Sequence, residues 1–570
     1  MKLTRVMIEN FRGIRHLDLH LGEETVLIGE NNAGKSSVLQ ALRVCLRDLS
    51  PRRRSLFEPY DVHLPDDQAT PSTAPQIRIT VWFSVDGADS TRVRRLSVAE
   101  VLQNDPLTSA YSVALRVVSV PPSGGAEALG HDWCFLDSSG QPLPKNERGL
   151  SAFQQELSYT LLDALRDATR GFDARGAFWR PFLQEQAIDA ATQRLIEERL
   201  QDVNRLVIDG HTPFRSATAR LNEVQKVVPI PSGDQVAIEA VPSRVFDLLT
   251  RAQVHLGTPT GAKVPIDHHG EGTQSLSVLM LFAAFLDLEA AAQGAHKAPI
   301  VGLEEPEAHL HPSAVRALWK VIQDIPGQKL ISTHSGELLA EVPLTSLCRL
   351  VRGRDGSVSA HRITGSTFAD PERRMFEFHV RQSRGELLFA RCWVLVEGET
   401  EVTLLTEIAR HLNMDLARSG VRVVQQRNAN LLIHLKAAHD LGIVWCVLAD
   451  NDGQGQDDQQ TARQAVSDPA TLVDQLHVMQ EADIEEHLCA SGFLTIYEGY
   501  LSTQTSRNVS VARGHQDYVP QLLKAIKNVR EFKKPDAAHK VIDQIRNHGA
   551  PPPPLLVNVL TSALKLAEGA

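Results

Sequence analysis

Three glutamates lie directly behind an apolar stretch in the last third of the chain. The sequence VLVEGETEV places Glu397, Glu399 and Glu401 where the apolar residues indicate the end of a buried strand. Like charges at such short spacing repel one another and raise each other's pKa unless a positive charge lies between them. This stretch therefore predicts a bound cation.

A second apolar stretch, GIVWCVLADNDG, ends in Asp450 and Asp452. Residues two positions apart in a strand face the same side, so both carboxylates can point to the same position as Glu397. Carboxylates collected at strand ends bind Mg²⁺ or Mn²⁺ through oxygen. Two such ions, roughly 3.5–4 Å apart, activate a water, hold a scissile phosphate and stabilise the leaving 3′-oxygen. We predict a two-metal site for phosphodiester hydrolysis, with these three acids as catalytic ligands.

Charged residues further along the chain extend this prediction. The segment EADIEEHL carries four acids before a predicted helix, and they either complete the metal site or complement the helix dipole: Glu481, Asp483, Glu485 and Glu486. The basic segment KAIKNVREFKKPDAAHK supplies a cation for developing negative charge, and we assign that role to Lys534, with Lys533 as the rival. The other basic residues contact phosphate or form a solvated helix face: Lys524, Lys527, Arg530 and Lys540.

A phosphate-binding motif lies near the start of the chain. Residues 29–36, GENNAGKS, match G-x-x-x-x-G-K-[ST] between a predicted strand, TVLIG, and a predicted helix. Backbone N–H groups of such a loop and of the helix N-terminus bind phosphates. The lysine contacts the β- and γ-phosphates, and the serine hydroxyl binds Mg²⁺. The motif predicts binding of ATP with Mg²⁺ by the residues Gly29, Asn31, Asn32, Gly34, Lys35, Ser36 and Ser37.

Three further segments fit an ATPase. The apolar stretch APIVGLEEPEAHLHP contains Glu304 and Glu305, which can hold the Mg²⁺ shell and polarise a water. The stretch QKLISTHS contains His334, which can contact a γ-phosphate. A glycine-rich turn with Gly272, followed by Ser275, opens an apolar helix. Because ligands bind at the carboxyl ends of parallel strands, we assign Glu304, Glu305 and His334 to ATP binding and hydrolysis. The turn with Gly272 and Ser275 resembles the one by which a subunit of a composite ATPase caps the nucleotide of another, which implies the same role for these two residues.

Length and composition describe a globular chain of two or three domains. The 570 residues are 42% hydrophobic and 22% charged, with a net charge of −10, so a basic footprint over the whole chain is absent and any DNA contact is local. Six cysteines without a CxxC pair indicate reduced thiols. The first residues contain no apolar signal segment, and the longest apolar stretch, residues 276–286, is too short to span a bilayer. These features predict a cytoplasmic protein without a membrane partner.

The order of strands and helices predicts an α/β fold. Strands and a helix alternate over the first part of the chain and again over residues 235–365. Helices predominate between them, where the amphipathic stretch 187–208 indicates either a helical arm packed on its own domain or a dimerising insertion. A polar connector at residues 366–388 precedes a second α/β region.

The first group of motifs resembles the ABC-type ATPase head of the SMC, RecF and Rad50 group. The resemblance rests on GENNAGKS, LEEPEAHLHP, STHS and the opening IENFRGI. Two features depart from the pattern: Glu304 stands where an aspartate is usual, and GEGTQS replaces the LSGGQ signature. Nucleotide binding is therefore a firmer expectation than rapid turnover.

The second group, E-G-x-x-E followed by D-x-D, resembles the Toprim domain of topoisomerases, bacterial primases and related nucleases. Together the two groups resemble the OLD (overcoming lysogenization defect) nucleases, among them the nuclease of the Gabija system. The family implies an ABC-type ATPase head in two parts (1–149 and 228–385), a helical insertion (150–227) and a Rossmann-like Toprim domain with a helical tail (386–570). It also implies metal ligation by Glu401 and Glu485, with Glu481 and Asp483 as further candidates.

The family resemblance also implies a function. It implies a bacterial endonuclease that nicks and cleaves DNA with Mg²⁺ or Mn²⁺, is regulated by its ATPase and acts in anti-phage defence or DNA processing. It implies a homodimer or higher oligomer and, in one subgroup, a DNA helicase as partner. Two alternatives stay open: a RecF- or SMC-like ATPase scaffold in DNA repair without nuclease activity, which the intact acidic set disfavours, and cleavage of RNA.

Overall fold

The structure is a computed structural model of the full chain. It describes all residues except 54, 67, 105–109, 122–128, 163–187, 214, 216–240, 243, 246–254, 258–262, 293–297, 427–429 and 570. The described residues form two compact units, one made of residues 1–153 and 329–570 and the other of residues 154–328.

The described strands and helices follow one another in an α/β order. The strands are β1 (Lys2–Phe11), β2 (Ile14–His20), β3 (Glu24–Gly29), β4 (Arg78–Val85), β5 (Gln103–Asn104), β6 (Tyr111–Val120), β7 (Gly130–Leu136), β8 (Leu157–Leu162), β9 (His255–Gly257), β10 (Lys263–Pro265), β11 (Ala298–Glu304), β12 (Gln328–Ser332), β13 (Leu347–Arg352), β14 (Val358–His361), β15 (Cys392–Val396), β16 (Val421–Gln425), β17 (Val444–Ala449) and β18 (Leu476–Val478).

The α-helices are α1 (Lys35–Arg43), α2 (Ser90–Val98), α3 (Glu147–Gln155), α4 (Ala190–Gly210), α5 (Glu271–Ala292), α6 (Pro312–Asp324), α7 (Gly336–Leu339), α8 (Asp370–Gln382), α9 (Glu399–His411), α10 (Leu431–Leu441), α11 (Gly453–Ala465), α12 (Leu472–Gln475), α13 (Ile484–Leu488), α14 (Leu494–Glu498), α15 (Tyr518–Ile526), α16 (Lys534–His548) and α17 (Pro554–Gly569). Short 3₁₀ turns occur at Pro59–Asp61, Ile266–His268, Leu344–Ser346, Glu386–Phe389, Pro469–Thr471 and Thr505–Asn508, and π-helical turns at Val44–Asp48 and Cys489–Phe493.

The first unit opens with an antiparallel sheet of order β2-β1-β4-β6-β5, in which β7 also pairs with β6. In β1 the side chains of Val6 and Ile8 are fully buried, whereas Met7 between them is partly exposed. This period of two is expected of a strand with one face in the core. Val6 pairs with Leu19 on one side and Val81 on the other, so apolar residues meet across the buried face.

The phosphate-binding motif lies beside parallel strands in the same unit. β12 and β13 both run parallel to β3, and β14 pairs antiparallel with β13. All residues of β3 after Glu24 are buried, which matches the continuous apolar run expected of a parallel strand covered on both faces. The strand therefore fixes the start of the loop at Gly29, and α1 begins six residues later.

The C-terminal part of the first unit contains a fully parallel sheet of order β16-β15-β17-β18. Every residue of β15, CWVLV, is buried. Helices α9, α16 and α17 supply apolar residues to the same core, including Leu404, Val541 and Leu560. This arrangement is the Rossmann-like α/β domain predicted after the ATPase head, so the predicted fold class is confirmed.

The second unit contains β8 parallel to β11, the antiparallel pair β9–β10, and helices α4 to α6. The predicted helical insertion, residues 150–227, falls in part outside the described residues, at 163–187, 214 and 216–227. Its described part includes α4, which has no buried residue, and also β8. The strand differs from the helical prediction because LSYTLL alternates and pairs with β11.

Two further sequence predictions can be compared with the helices. α5 begins at Glu271, so Gly272 and Ser275 lie within the helix rather than in a turn before it. Among the described residues, no helix combines the length and apolar character needed to cross a membrane. The predicted domain boundaries stay a prediction.

Candidate functional site

The phosphate-binding loop has the geometry that its glycines require. Gly29 ends β3 with φ 143°, and a Cβ there would lie 2.4 Å from the carbonyl oxygen of Leu350. Gly34 precedes α1 with φ 98°, in the left-handed region that favours glycine. The loop therefore turns sharply between strand and helix, with Asn31 and Asn32 exposed.

Lys35, at the start of α1, is buried and folds back onto its own loop. Its Nζ donates hydrogen bonds to the carbonyl oxygens of Gly29 at 2.8 Å and Glu30 at 2.9 Å. The predicted hydroxyl ligands Ser36 and Ser37 follow in the first turn of the helix. Gly29, Asn31, Asn32, Gly34 and these three residues thus form one continuous loop and helix start, as predicted.

The residues predicted for ATP hydrolysis are divided between the two units. In the second unit, Glu304 ends β11 and Glu305 follows with φ 45°, an uncommon conformation for a residue with a side chain. A Cβ on Gly272 would lie 2.8 Å from the carbonyl oxygen of His309, and Glu271 pairs with the His309 ring at 2.9 Å. The start of α5 therefore contacts the loop that follows β11.

Two other predicted ATPase residues have distinct surroundings. The hydroxyl of Ser275, in α5, is buried and has no hydrogen-bond partner among the described residues. In the first unit, His334 lies two residues after β12 and is exposed. Their roles stay predictions.

The carboxylates of the C-terminal sheet lie at the ends of neighbouring parallel strands. Glu397 follows β15 and is exposed, whereas Asp450 follows β17 and is 7% exposed. The two carboxyl groups lie within hydrogen-bond reach of each other. Burial, with the charges of Glu401 and Glu397, raises the pKa of Asp450 well above its usual range. The structure thus brings together Glu397 and Asp450 at the ends of these two strands, as the sequence predicted.

Glu401 adds a third acid from the first turn of α9. It is 4% exposed, and burial, followed by the charges of Glu485 and Glu397, raises its pKa to about 7. Its Oε2 lies 2.9 Å from where a Cβ on Gly398 would be. The glycine of VEGETE therefore leaves room for the Glu401 carboxylate to fold back over the strand end.

Glu485, which is buried, and Lys534, whose side chain is 54% exposed, form an ion pair at this cluster. The Lys534 Nζ donates to Glu485 Oε2 at 2.7 Å. Glu485 is 2% exposed, and its Oε1 is buried without a hydrogen-bond partner in the described part of the chain. Burial would lower the pKa of Lys534, but the hydrogen bond and charge of Glu485 raise it. The ammonium group is therefore held charged beside the acids.

The remaining predicted ligands, Asp452, Asp483 and Glu481, each have another hydrogen-bond partner. Asp452 is exposed and caps α11, where its Oδ1 accepts from the N–H of Gly455 at 2.8 Å. Asp483 caps α13 in the same way, although its charge also raises the pKa of Asp450. The Glu481 carboxylate pairs with the ring of His487, with Oε2 and Nδ1 2.7 Å apart. Ligation by these three acids stays a prediction.

Two family descriptions match the chain. "Protein of unknown function (DUF2813)" matches residues 1–386, and "Overcoming lysogenization defect protein-like, TOPRIM domain" matches residues 388–452. The chain belongs to the DUF2813 family. Its C-terminal region contains an OLD-like Toprim domain, and the resemblance to OLD proteins is confirmed.

Relatives of this DUF2813 chain extend over most of its length. Uncharacterized protein YbjD of Escherichia coli (strain K12) is 28% identical, with 100% of both chains covered. OLD nuclease of Thermus scotoductus (strain ATCC 700910 / SA-01) is 26% identical, covering 95% of this chain and 98% of the relative. Endonuclease GajA of Bacillus cereus (strain VD045) is 22% identical, covering 79% of this chain and 75% of the relative. These similarities support a nuclease built from an ATPase region and a Toprim domain.

The donor set of the Toprim domain suits a divalent cation in its chemistry. It offers only carboxylate oxygens, which hard cations prefer, and both Glu401 and Asp450 carry raised pKa values because burial and like charges oppose their ionisation. The orphaned Oε1 of Glu485 offers a further acceptor. Over the residues that the structure describes, however, no three acidic, histidine or cysteine side chains are already grouped as a metal site. The acids fit a cation by charge and burial, and ligation needs their side chains to turn.

Two features of the Toprim region escaped the sequence analysis. Asp458, in α11, has a pKa raised by burial and then by the charge of Glu397, and its position six residues after Asp452 gives no signal, because residues three or four apart share a helix face. Arg349 donates to backbone carbonyls that precede β15 and β17, and Arg391, which precedes β15, pairs with Glu30. No motif contains either arginine, and their partners are distant in sequence.

Proposed function

We propose that this chain is a metal-dependent endonuclease that cleaves DNA, with an ATP-binding region that regulates cleavage. One observation carries the proposal: Glu401 and Asp450, buried beside Glu397, repel one another in a domain that matches OLD-like Toprim proteins. Burying like charges costs free energy unless a cation compensates them. A site of this kind has a use in phosphodiester hydrolysis, the activity named for several relatives.

Glu397, Glu401, Asp450 and Glu485 would hold Mg²⁺ or Mn²⁺, with Asp452 and Asp483 available where they cap helices. Bound divalent ions would supply charge neutralisation at the phosphate and a more acidic water. We keep Glu481 outside this proposed set because His487 occupies its Oε2.

The residues of the chain contribute positioning and charge. Gln459 donates to the carbonyl oxygen of Asp450 at 3.0 Å, which fixes the backbone of that acid at the end of β17. Lys534, held by Glu485, would supply the positive charge that stabilises a pentavalent phosphate as it gains negative charge. Lys533 precedes α16 as its N-cap, and both lysines are exposed, but Lys534 is the one that pairs with Glu485. These surroundings favour Lys534 over Lys533 for this role.

We propose that ATP binds at the loop of residues 29–37 and regulates cleavage rather than driving it. The loop supplies backbone N–H groups and the ammonium of Lys35. DNA cleavage by metal-assisted hydrolysis needs no nucleotide for its chemistry. A role in anti-phage defence or DNA processing, in the bacterial cytoplasm and with a DNA helicase as partner, follows from the family resemblance.

We also propose that the chain forms a homodimer through α4. The side chains of Leu195 and Leu206 on this helix are 54% and 72% exposed. Exposed apolar side chains on one helix mark contact surfaces. Leu206→Glu should shift the molar mass measured by light scattering from dimer toward monomer, whereas Arg205→Glu on the same helix should leave it unchanged. A wild-type monomer would contradict the proposal.

The test of the nuclease is a nicking assay on supercoiled plasmid with MnCl₂ or MgCl₂, with and without ATP. We expect the wild type to nick, Asp450→Ala to lose nicking and Lys35→Ala to retain it. Glu399→Gln is the control, because Glu399 is exposed in the same helical turn as Glu401 and is no proposed ligand. Undiminished nicking by Asp450→Ala would contradict the assignment of Asp450 as a metal ligand. If the protein cleaved RNA but not DNA, RNA would replace DNA as the proposed substrate.

A further inference from the structure

An ion pair joins the phosphate-binding loop to the Toprim domain. Glu30 is the second residue of the motif GENNAGKS, and both of its carboxylate oxygens accept hydrogen bonds from the guanidinium of Arg391. Arg391 directly precedes β15. The hydrogen bond with Arg391 holds the pKa of Glu30 below its usual range, so the pair is charged at neutral pH.

A second arginine fixes the same end of the Toprim sheet. Arg349, on β13 beside the loop strand β3, is 4% exposed. Its Nη1 donates to the carbonyl oxygens of Leu441 at 2.9 Å and Gly442 at 2.8 Å, and its Nη2 donates to that of Ala390 at 2.8 Å. Three backbone carbonyls that precede β15 and β17 are therefore held from the ATPase side.

These two strands carry the proposed metal ligands at their other ends. β15 runs from Cys392 to Val396 and is followed by Glu397, and β17 runs parallel beside it and is followed by Asp450. Five to six residues of strand span about 16–20 Å. Because each strand is buried along its length and packed on its neighbour, a displacement at its start is transmitted to its end.

The nucleotide loop has a direct means of displacing Glu30. Lys35 donates to the carbonyl oxygen of Glu30, and the phosphates of a bound nucleotide compete for the protons of that ammonium. A cavity of about 280 Å³, lined in part by Glu30, Asn31 and Arg391, adjoins the ion pair. It gives the two side chains room to move when the backbone of residue 30 does.

We propose that Arg391 and Arg349 are positioning residues that couple the nucleotide loop to the carboxylate site, so that a bound nucleotide changes the affinity of that site for Mn²⁺. The inference rests on the proposed cation site of the Toprim domain. By thermodynamic linkage, Mn²⁺ at the carboxylates changes nucleotide affinity by the same factor. Glu30–Arg391 carries the link to β15, and Arg349 carries it to both β15 and β17.

The test is a titration with Mn²⁺ followed by electron paramagnetic resonance, with and without a saturating non-hydrolysable ATP analogue. The signal of the carboxylate site is the part that Asp450→Ala removes. We expect the analogue to change the Mn²⁺ dissociation constant of the wild type by about 5-fold or more. In Arg391→Ala this ratio should fall at least twofold toward one, with Arg349 carrying what remains, and Arg391→Lys, which keeps the charge but loses the paired hydrogen bonds, should give an intermediate ratio.

Arg422→Ala is the matched control. Arg422 pairs with Glu386 in a similar contact, and the side chains of that pair are 45% and 53% exposed, against 40% and 44% for Arg391 and Glu30. Because neither residue belongs to the nucleotide loop, this variant should keep the wild-type ratio. Circular dichroism establishes that each variant folds, and binding of a fluorescent ATP analogue establishes that each is saturated with nucleotide.

The outcomes separate this inference from the proposed nuclease function. A wild-type ratio of one, or a wild-type ratio retained in Arg391→Ala, overturns the coupling even if the protein nicks DNA. Coupled Mn²⁺ binding in a protein that cuts no DNA supports the inference and overturns the nuclease. An absence of Mn²⁺ signal that depends on Asp450 overturns both.

Discussion

The phosphate-binding loop and the Toprim carboxylates carry charges of opposite sign. In the loop, a single buried ammonium, Lys35, donates to carbonyl oxygens within its own motif. In the Toprim domain, acids from separate segments lie close together with raised pKa values, and Lys534 opposes their charge by hydrogen bonding to Glu485. The loop is complete within eight residues, whereas the carboxylate site depends on packing between β15, β17, α9, α13 and α16.

The two regions therefore require ligands of opposite charge. The loop presents donors and positive charge, so an anionic phosphate satisfies it. The carboxylates present acceptors and an excess of negative charge, so a cation satisfies them. Changes to charged residues in the loop should therefore alter the binding of anionic nucleotide, and changes to the carboxylates should alter the binding of cations. The expected effects are given from the largest to the smallest.

The largest effect is expected at Lys534. Lys534→Ala removes the cation nearest the acids, and nicking of plasmid in MnCl₂ should slow by about 10²–10³-fold, the usual loss for a positioned charge in a transition state. Lys533→Ala is the adjacent control and should slow nicking by less than about threefold, since the ion pair with Glu485 is made by Lys534. Equal losses in both variants would indicate a general basic surface instead.

Glu401 should couple stability to pH. Its pKa is raised from 4.5 to about 7 by burial and like charges, so the folded protein holds this proton more tightly than the unfolded chain does. The free energy of unfolding in EDTA should therefore fall as pH rises from about 4.5 to about 7. The shift corresponds to about 3 kcal/mol.

Denaturant unfolding at several pH values checks this prediction. Glu401→Gln should be more stable than the wild type by up to about 3 kcal/mol at pH 8 and by little at pH 4.5. MnCl₂ should narrow the difference at pH 8 by stabilising the wild type. Glu399→Gln should follow the wild type at every pH, and parallel curves for all three proteins would contradict the raised pKa.

Lys35 tests the opposite region. Lys35→Ala should weaken binding of a fluorescent ATP analogue by about 10–100-fold, because a charged hydrogen-bond donor contributes about 1.5–3 kcal/mol. Mn²⁺ binding to the carboxylates, measured without nucleotide, should stay within about twofold. Lys436→Ala, which removes two hydrogen bonds to Glu372 at 2.9 and 3.0 Å, should leave ATP binding unchanged. A larger loss of Mn²⁺ binding than of ATP binding would reverse the assignment.

The sequence predicted the loop better than the carboxylate site for a physical reason. GENNAGKS lies between an apolar strand and a helix, so local periodicity and two glycines suffice. The strand ends at Glu397 and Asp450 could also be predicted, because CWVLV and VWCVLA are continuous apolar runs. The Asp452 and Asp483 caps could not be told from ligands, since the same side chain serves both purposes at a helix start.

The long-range contacts of arginine were invisible to sequence reasoning. Arg349 lies in LCRLVR, which indicates a strand but not which carbonyls, 41 to 93 residues away, its guanidinium contacts. Pairing of Glu481 with His487 was hidden in the same way, since a carboxylate near a helix start suits a ligand, a dipole partner or a histidine equally. Such choices depend on how elements pack.

The smallest predicted effect concerns the two glycines that follow the Toprim strands. A Cβ on Gly398 would meet Glu401 Oε2 at 2.9 Å, whereas a Cβ on Gly453, at the start of α11, would meet nothing within 4 Å. Because the atom it meets ends a flexible side chain, Gly398→Ala should cost about 1 kcal/mol or less in stability but should weaken Mn²⁺ binding by about 3–10-fold, as the Glu401 carboxylate is pushed from its place. Gly453→Ala should leave Mn²⁺ affinity unchanged and slightly stabilise the helix. If both variants bind Mn²⁺ like the wild type, the fold-back of Glu401 over Gly398 has no part in ligation, and that glutamate would act only through its charge.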